Sequence, residues 1–227
     1  PLAVLVLAAI RDVGATLRHR SSGGDQKSEG QMKTTTDAVV VGGGVMGCSI
    51  LYNLATLGLT NALLLERDVL ASGSTSRSQA ILRMHYSNEV TTRMAWESLK
   101  IFQEFDQIVG GDSGYVRTGY LLIVGHEHRV PMEKNVAMQR CIGVQTETVS
   151  VEDVLELAPV LAVQEDEAFA YEPQSGYADP YSVTTGYARA AREMGAQINT
   201  NTPVYDIEIT RGKVTAVVTS QGRVETP

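Results

Sequence analysis

The chain has 227 residues, of which 43% are hydrophobic and 20% charged, and its formal net charge is −7. This composition excludes a disordered chain, and the absence of an apolar run of about 18 residues excludes a membrane-spanning helix. The acidic balance argues against a nucleic-acid-binding surface, which would need clustered basic residues. Two cysteines, Cys48 and Cys141, are too few for a disulfide framework and favour a reduced, cytoplasmic protein.

The first 36 residues differ from the rest of the chain. They carry a net charge of +2, so the remainder carries −9. An apolar run from Leu2 to Ile10 precedes the basic residues, which is the reverse of the order in a signal peptide. We expect residues 1–36 to be a disordered extension, or upstream read-through ahead of a true start at Met32. Because a strand-like run stops at Pro227, we also expect the chain to be a fragment that is truncated at its C-terminus.

From Asp37 onwards the pattern is that of an α/β protein. An apolar run predicts a strand over residues 38–41, and a glycine cluster then leads into a helix that ends at Gly58. A second strand is predicted over residues 62–66. Strand, glycine turn, helix and strand make a βαβ unit, which implies a parallel sheet.

Caps and periodicity predict the later elements. A helix is predicted to begin near Ser87 or Asn88 and to end at Gly110-Gly111. Its apolar face is predicted to contain Val90, Met94, Leu99, Phe102 and Phe105. The remaining predictions are a strand over 120–124, a helix from Pro131 to Gly143, a capping box at Ser150 and Asp153, a helix from Asp179-Pro180 to Gly195, and three strands over 204–209, 214–219 and 223–226.

The glycine cluster carries the first chemical signal. Gly42, Gly44 and Gly47 fit G-x-G-x-x-G between a strand and a helix, where glycines allow a tight turn, the approach of a pyrophosphate, and close helix packing. Glu66 ends the second strand, where a carboxylate accepts hydrogen bonds from an adenosine ribose and repels a 2′-phosphate. The pattern therefore predicts a dinucleotide site and argues against NADP.

The loop that follows Glu66 does not by itself distinguish FAD from NAD. Residues 72–78 (SGSTSRS) are rich in hydroxyl groups and backbone donors, which suit a second phosphate or the ribityl chain of FAD. An ordinary surface loop would have a similar composition.

Three segments resemble a known family: DAVVVGGGVMG, LLLERDVLASGSTSRSQAILR, and SGYADPYSVTTGYARAAREMGA with the NTPVYDI that follows it. They are similar to the D-amino-acid oxidase superfamily of FAD-dependent amine oxidoreductases, in the branch of sarcosine oxidases and dimethylglycine dehydrogenases. The resemblance implies a Rossmann-like FAD-binding domain with an inserted β-rich substrate domain. Residues 37–115 and 170–227 would belong to the FAD-binding domain, and residues 116–169 would begin the substrate domain.

The resemblance also implies roles for individual residues. Arg83 matches an arginine that binds the substrate carboxylate in monomeric sarcosine oxidases, although a structural ion pair is an alternative role. The residues implied in FAD binding are Gly42, Gly44, Val45, Met46, Gly47, Glu66, Arg67, Ser72, Ser74, Thr75 and Val204.

The implied cofactor is non-covalent FAD. Ser76-Arg77 stand where dimethylglycine dehydrogenases carry a flavin-linked histidine, and Pro180 stands near the position of such a histidine in the β-subunits of heterotetrameric sarcosine oxidases. A metal site at His126-Glu127-His128 is rejected because no third ligand is evident. Cys48 is interpreted as a packing residue.

The predicted function is oxidation of the C–N bond of a small secondary or tertiary amino acid such as sarcosine, dimethylglycine or proline. The electron acceptor, oxygen or another carrier, is left open. Two alternatives remain at this point: a non-catalytic flavin-binding subunit or assembly factor of the same fold, and an NAD-dependent dehydrogenase.

Overall fold

The computed structural model describes residues 33–226, so the predicted start at Met32 and the extension before it lie outside the described residues. The chain divides into two compact units. Of the described residues, one unit contains 33–77 and 183–226, and the other spans Ser78–Ser182. The assignment of a cofactor domain and a substrate domain to parts of the chain stays a prediction.

The described residues contain six α-helices and twelve strands. The helices are α1 (Val45–Thr56), α2 (Glu89–Gln103), α3 (Phe105–Ile108), α4 (Arg129–Ile142), α5 (Val151–Leu157) and α6 (Pro180–Glu193). The strands are β1 (Ala38–Val41), β2 (Ala62–Leu65), β3 (Ile81–Leu82), β4 (Val116–Arg117), β5 (Tyr120–Val124), β6 (Glu147–Val149), β7 (Ala168–Glu172), β8 (Gly176–Tyr177), β9 (Gln197–Asn199), β10 (Val204–Thr210), β11 (Lys213–Thr219) and β12 (Gly222–Glu225).

The first unit is built on a parallel sheet in the order β1-β2-β9. β1 and β2 pair in parallel through Ala38–Ala62 to Val41–Leu65, which confirms the predicted βαβ unit. Val39, Leu63 and Leu65 are buried in one cluster with Val217 and Val224 of the antiparallel β10-β11-β12 sheet. β1 is buried except at Val41 and β2 is buried along its length, as their continuous apolar runs predict, whereas β9 is buried only at Ile198.

The second unit contains two antiparallel three-stranded sheets, in the orders β5-β7-β6 and β3-β8-β4. Met132 and Val136 of α4 pack on Ala168 and Ala170 of β7, so the helix covers one face of the first sheet. Of these strands, only β5 is predicted from the sequence. β7 follows an acidic stretch and is rich in alanine, and the others are two or three residues long.

Local capping signals are confirmed where they occur. The Ser150 hydroxyl accepts the Asp153 N–H, and the Asp153 carboxylate accepts the Ser150 N–H, which completes the capping box of α5. Gly143 ends α4 with φ +103°. Helix α4 begins at Arg129, two residues before the predicted start, and so places Pro131 in its first turn, where a missing N–H costs little.

The predicted apolar face of α2 is wrong in its N-terminal half. Val90 and Met94 are 70% and 65% exposed, whereas Leu99 is buried with Met84 and Val144. At about 100° per residue, the buried row passes through Thr92, Ala95 and Leu99, and Val90 and Met94 point away from it. The predicted single helix also breaks at Glu104, after which Phe105 begins the short α3.

This correction gives a matched pair of substitutions in one helix. We expect Leu99→Ala to lower the free energy of unfolding by about 2–5 kcal/mol, because it opens a cavity in a packed cluster. Met94→Ala should change it by no more than about 0.5 kcal/mol, because the side chain is exposed. Denaturant unfolding of both variants tests this, and equal losses would contradict the observed orientation of α2.

Candidate functional site

The glycine motif forms a tight turn between β1 and α1. Gly42 adopts φ +108°, which favours glycine, and its N–H donates to the Leu65 carbonyl at 2.8 Å. A Cβ atom at Gly47 would fall far inside van der Waals contact with the Gly42 carbonyl oxygen. The first and third glycines are therefore required by the turn itself, as the motif predicts.

The first backbone N–H groups of helix α1 are not capped by a side chain of the N-cap residue. Its N-cap is Gly44, which has no side chain, and its first turn contains no acidic residue. The Val45 N–H donates to Thr75 Oγ1 at 3.1 Å, so the hydroxyl-rich loop reaches the start of the helix. The first N–H groups of a helix and its positive dipole end favour an anion such as a phosphate.

Glu66 lies against this turn. Its side chain is 8% exposed, and one carboxylate oxygen accepts the Gly43 N–H at 2.6 Å while the other accepts the Asp68 N–H at 2.9 Å. These two bonds fix the carboxylate, and each oxygen retains a further acceptor position. An acceptor held in this way beside a phosphate-binding turn suits the hydroxyl groups of a ribose.

The other predicted cofactor residues differ in their positions. Ser72 and Thr75 are half-buried, whereas Arg67, Ser74 and Met46 are exposed. Val204 begins β10 and packs against the cluster that contains Val39. The structure therefore brings the glycines, Glu66 and Thr75 together, while the contribution of the exposed residues to binding stays a prediction.

The residues at this turn fit the pyrophosphate of a dinucleotide. Gly44 leaves space at the start of the helix, because a Cβ atom at this position would lie only 2.9 Å from Thr75 Oγ1. The backbone can thus approach a ligand at a helix N-terminus, with a fixed carboxylate to one side. Cys48, in the first turn of α1, does not take part as a nucleophile, because burial raises the pKa of its thiol to about 12.

Arg83 belongs to a separate cluster within the second unit. Its guanidinium carbon lies 5.0 Å from the ring centre of Tyr86 and 5.5 Å from that of Tyr120, and Nη1 donates to the His85 carbonyl at 2.9 Å. Arg83 is half-buried, and within residues 33–226 no carboxylate forms an ion pair with it. The role of Arg83, in carboxylate binding or in an ion pair, stays a prediction.

Sequence reasoning missed Glu172 of β7. Its side chain is 1% exposed, and its carboxylate accepts the Met84 N–H at 2.9 Å and the Ser175 hydroxyl at 2.7 Å. No motif marks this residue, and its partner Met84 is 88 positions away in the sequence. Only the charged residue type at the end of an apolar, alanine-rich run could have indicated an unusual position.

Two further features are the positions of His126 and His128, the candidate metal ligands in the sequence, and the length and polarity of the helices. His126 and His128 are exposed in a short turn before α4, and no three metal-ligating side chains come together among residues 33–226. Over the same described range, no helix is long and apolar enough to cross a membrane.

The fold and the glycine turn define the class: a dinucleotide-binding α/β protein with a second, sheet-containing unit. A family model described as FAD dependent oxidoreductase matches residues 37–226. The chain belongs to this family. The expectation of FAD is thereby confirmed, and the NAD-dependent alternative is set aside.

Individual relatives agree with the family. The chain is 33% identical over 188 residues to the mitochondrial pyruvate dehydrogenase phosphatase regulatory subunit of Mus musculus, covering 82% of this chain and 21% of that protein. It is 30% identical over 203 residues to the mitochondrial sarcosine dehydrogenase of Homo sapiens, covering 86% and 22%. Among solved structures, the L-proline dehydrogenase of P. horikoshii matches with a TM-score of 0.79 and 29% identity, covering 86% and 52%. The chain thus spans about a fifth of these curated relatives and half of the solved structure.

The glycine turn generates a test of cofactor binding. We expect Gly47→Ala to weaken FAD binding about tenfold or more, because the added methyl group collides with the Gly42 carbonyl and displaces the turn. The measurement is bound flavin per polypeptide, by visible absorbance after gel filtration of the whole protein. Thr56→Ala at the exposed end of the same helix is the control and should keep its flavin. Full flavin content in a folded Gly47→Ala protein would contradict the assignment.

Proposed function

We propose that this protein oxidises the C–N bond of a small secondary or tertiary amino acid. Sarcosine, dimethylglycine and proline are the substrates that we would test first. Two relatives support this choice through their names, the human sarcosine dehydrogenase and the L-proline dehydrogenase of P. horikoshii. The half-buried Arg83, which lacks a carboxylate partner in the described chain, is the observation that carries the proposal.

Arg83 suits the carboxylate that these substrates share. Guanidinium presents five N–H donors in a planar fork, and only the Nη1 bond to His85 uses one of them within the described residues. Contact with the rings of Tyr86 and Tyr120 holds the fork through cation–π attraction without neutralising its charge. An anionic ligand would supply the direct ion-pair partner that Arg83 lacks among the described residues, and a carboxylate matches the fork in a bidentate manner.

The reaction needs a redox cofactor rather than an acid–base pair of side chains. FAD, when bound, would supply the acceptor for the hydride equivalent, that is two electrons and one proton, that leaves the carbon beside the nitrogen. The substrate is converted to an imine as the nitrogen lone pair forms the C=N bond. Water then hydrolyses the imine to an aldehyde and a dealkylated amine, whereas a cyclic substrate retains a cyclic imine. The final electron acceptor is oxygen or another carrier.

The residues of the first unit would hold the cofactor. Gly42, Gly44 and Gly47 with the start of α1 would bind the pyrophosphate, Glu66 the adenosine ribose, and Thr75 with its loop the phosphates and ribityl chain. Val45, Met46, Arg67, Ser72, Ser74 and Val204 are proposed around them. The proposed attachment is non-covalent, because Ser76-Arg77 and Pro180 offer no histidine for a flavin link.

A second candidate function is a flavin-binding regulatory or assembly subunit. The 33% identity to the pyruvate dehydrogenase phosphatase regulatory subunit favours it. In this case the same glycine turn would bind FAD, but no amino acid would reduce it. A cytoplasmic location stays a prediction, and both curated relatives named above are mitochondrial proteins.

One experiment separates the two candidates. The whole protein is purified, and its visible spectrum is recorded anaerobically before and after adding sarcosine, dimethylglycine or proline. We expect flavin bands that bleach with one of these compounds, and acid precipitation of the same sample should leave the flavin in the supernatant. Flavin bands that no amine bleaches would favour the regulatory subunit, and flavin retained in the precipitate would show a covalent link.

The role of Arg83 is tested by substitution. Arg83→Ala should raise the dissociation constant of the bleaching amino acid about 10- to 100-fold, because a charge-assisted bidentate contact is lost. Bound flavin should stay at the wild-type level. Arg93→Ala is the control, because Arg93 is an exposed arginine of the same unit that pairs only with Glu89 among the described residues. Unchanged substrate affinity in Arg83→Ala would sink the assignment.

A further inference from the structure

Glu172 lies directly beneath the Arg83 segment and connects it to the sheet. It is the last residue of β7, and its Cα is paired with that of Tyr120 in β5. Tyr120 contacts the Arg83 guanidinium through its ring, while Glu172 contacts the backbone of Met84, the next residue after Arg83. The cross-strand pair of Tyr120 and Glu172 therefore contacts both the side chain of Arg83 and the backbone next to it.

The contacts of Glu172 are specific to one carboxylate oxygen. Oε2 accepts both the Met84 N–H and the Ser175 hydroxyl, whereas Oε1 lies 3.8 Å from His85 Nδ1, too far for a hydrogen bond. Neither Oε1 nor Nδ1 has a hydrogen-bond partner among the described residues. The His85 carbonyl in turn accepts the Arg83 Nη1 hydrogen. Glu172 thus fixes the backbone between the arginine and the carbonyl that orients it.

The pair of Glu172 and His85 is not a conventional salt bridge. Burial and the nearby charge of Arg83 lower the pKa of His85, so its imidazole is held neutral. Burial raises the pKa of Glu172, and the Met84 N–H, the Ser175 hydroxyl and Arg83 oppose that rise. Because a buried carboxylate is costly, the bonds to Met84 and Ser175 account for its presence better than attraction to His85 does.

The turn that follows β7 also helps to hold Glu172 in place. Ser175 is fully buried, and its carbonyl accepts the Gly119 N–H at 2.8 Å, next to Tyr120. The Gln174 carbonyl accepts the Tyr115 hydroxyl at 2.5 Å. The carboxylate is thus placed by a turn that is itself anchored to the strand bearing Tyr120.

We propose that Glu172 is a positioning residue that sets the Arg83 guanidinium for its carboxylate ligand, through its bonds to the Met84 N–H and the Ser175 hydroxyl. The identity of that ligand as the amino-acid substrate rests on the proposed function. The positioning itself follows from the contacts within the second unit and can be measured separately.

The first measurement needs no substrate. Phenylglyoxal reacts with accessible guanidinium groups, and peptide mass spectrometry reports the rate at each arginine of the whole protein. In Glu172→Leu we expect Arg83 to react about fivefold faster or more, because it loses its fixed backbone. Glu172→Gln retains an oxygen for the Met84 N–H and should stay within about twofold of the wild type. Arg93 is exposed and serves as the internal standard, whose rate should not change.

Two further variants control for general destabilisation. Ser175→Ala removes one bond to Oε2 and should accelerate the reaction of Arg83 about threefold, more than Glu172→Gln, even if Glu172→Leu fails to fold. Glu147→Leu changes an exposed glutamate of β6 in the same sheet and should leave the rate at Arg83 unaltered. A wild-type rate at Arg83 in a folded Glu172→Leu protein, or in Ser175→Ala where Glu172→Leu does not fold, would overturn the proposal, as would equal acceleration at Arg93.

The second measurement links positioning to substrate. For the amino acid that bleaches the flavin, kcat/KM is compared with that of its methyl ester, which lacks the negative charge. Glu172→Leu should lower this preference for the carboxylate about fivefold or more, and Glu172→Gln should restore it. If Glu172→Leu changes the reactivity of Arg83 but Arg83→Ala leaves the preference intact, the proposed role of Arg83 fails while its positioning by Glu172 stands.

Discussion

The hydrogen bond between the Gly43 N–H and the Glu66 carboxylate is the constraint on which the first unit depends. It joins the turn after β1 to the residue that follows β2, so the two parallel strands end at one fixed place. The Thr202 N–H also donates to the Glu66 carbonyl, and the Glu66 N–H donates to Asn199 at the end of β9. A single acidic residue thus ties the glycine turn to all three strands of the parallel sheet. Its burial at 8% exposure is stabilised by these bonds, since an unpaired buried carboxylate would be costly.

What could be predicted from the sequence is what short segments determine by themselves. The glycine turn, the capping box of Ser150 and Asp153, and the Gly143 stop each depend on a few neighbouring residues, and the structure contains all three. The buried side of α2 depends on the elements that pack against it, so the positions of Val90 and Met94 could not be predicted from periodicity alone. Strand β7 was missed for a similar reason, since its burial depends on α4 and on pairing with β5 and β6.

The candidate site divides in the same way. Gly42, Gly47 and Glu66 can be recognised from their spacing in the sequence, because the geometry of one βαβ unit imposes that spacing. Arg83 is identified only through a resemblance, because its local contacts with the His85 carbonyl and the Tyr86 ring leave no recognisable motif and its contact with Tyr120 depends on the fold. Glu172 is more distant still, since its role arises from strand register with Tyr120 and from a bond to Met84. Contacts between residues this far apart are set by the tertiary fold and leave no local pattern in the sequence.

The two units bear differently on the choice between an enzyme and a regulatory subunit. A glycine turn with a buried acid serves any protein that binds FAD, whatever follows, so the first unit cannot discriminate between them. The second unit can, because it keeps a cation half-buried between tyrosine rings and fixes its backbone with a buried carboxylate. Desolvation of the Arg83 cation is costly, and an anionic ligand would offset that cost, whereas Glu172 is stabilised by its own bonds to the Met84 N–H and the Ser175 hydroxyl. If Arg83 binds the substrate carboxylate as proposed, the second unit is therefore where an enzyme and a regulatory subunit would differ.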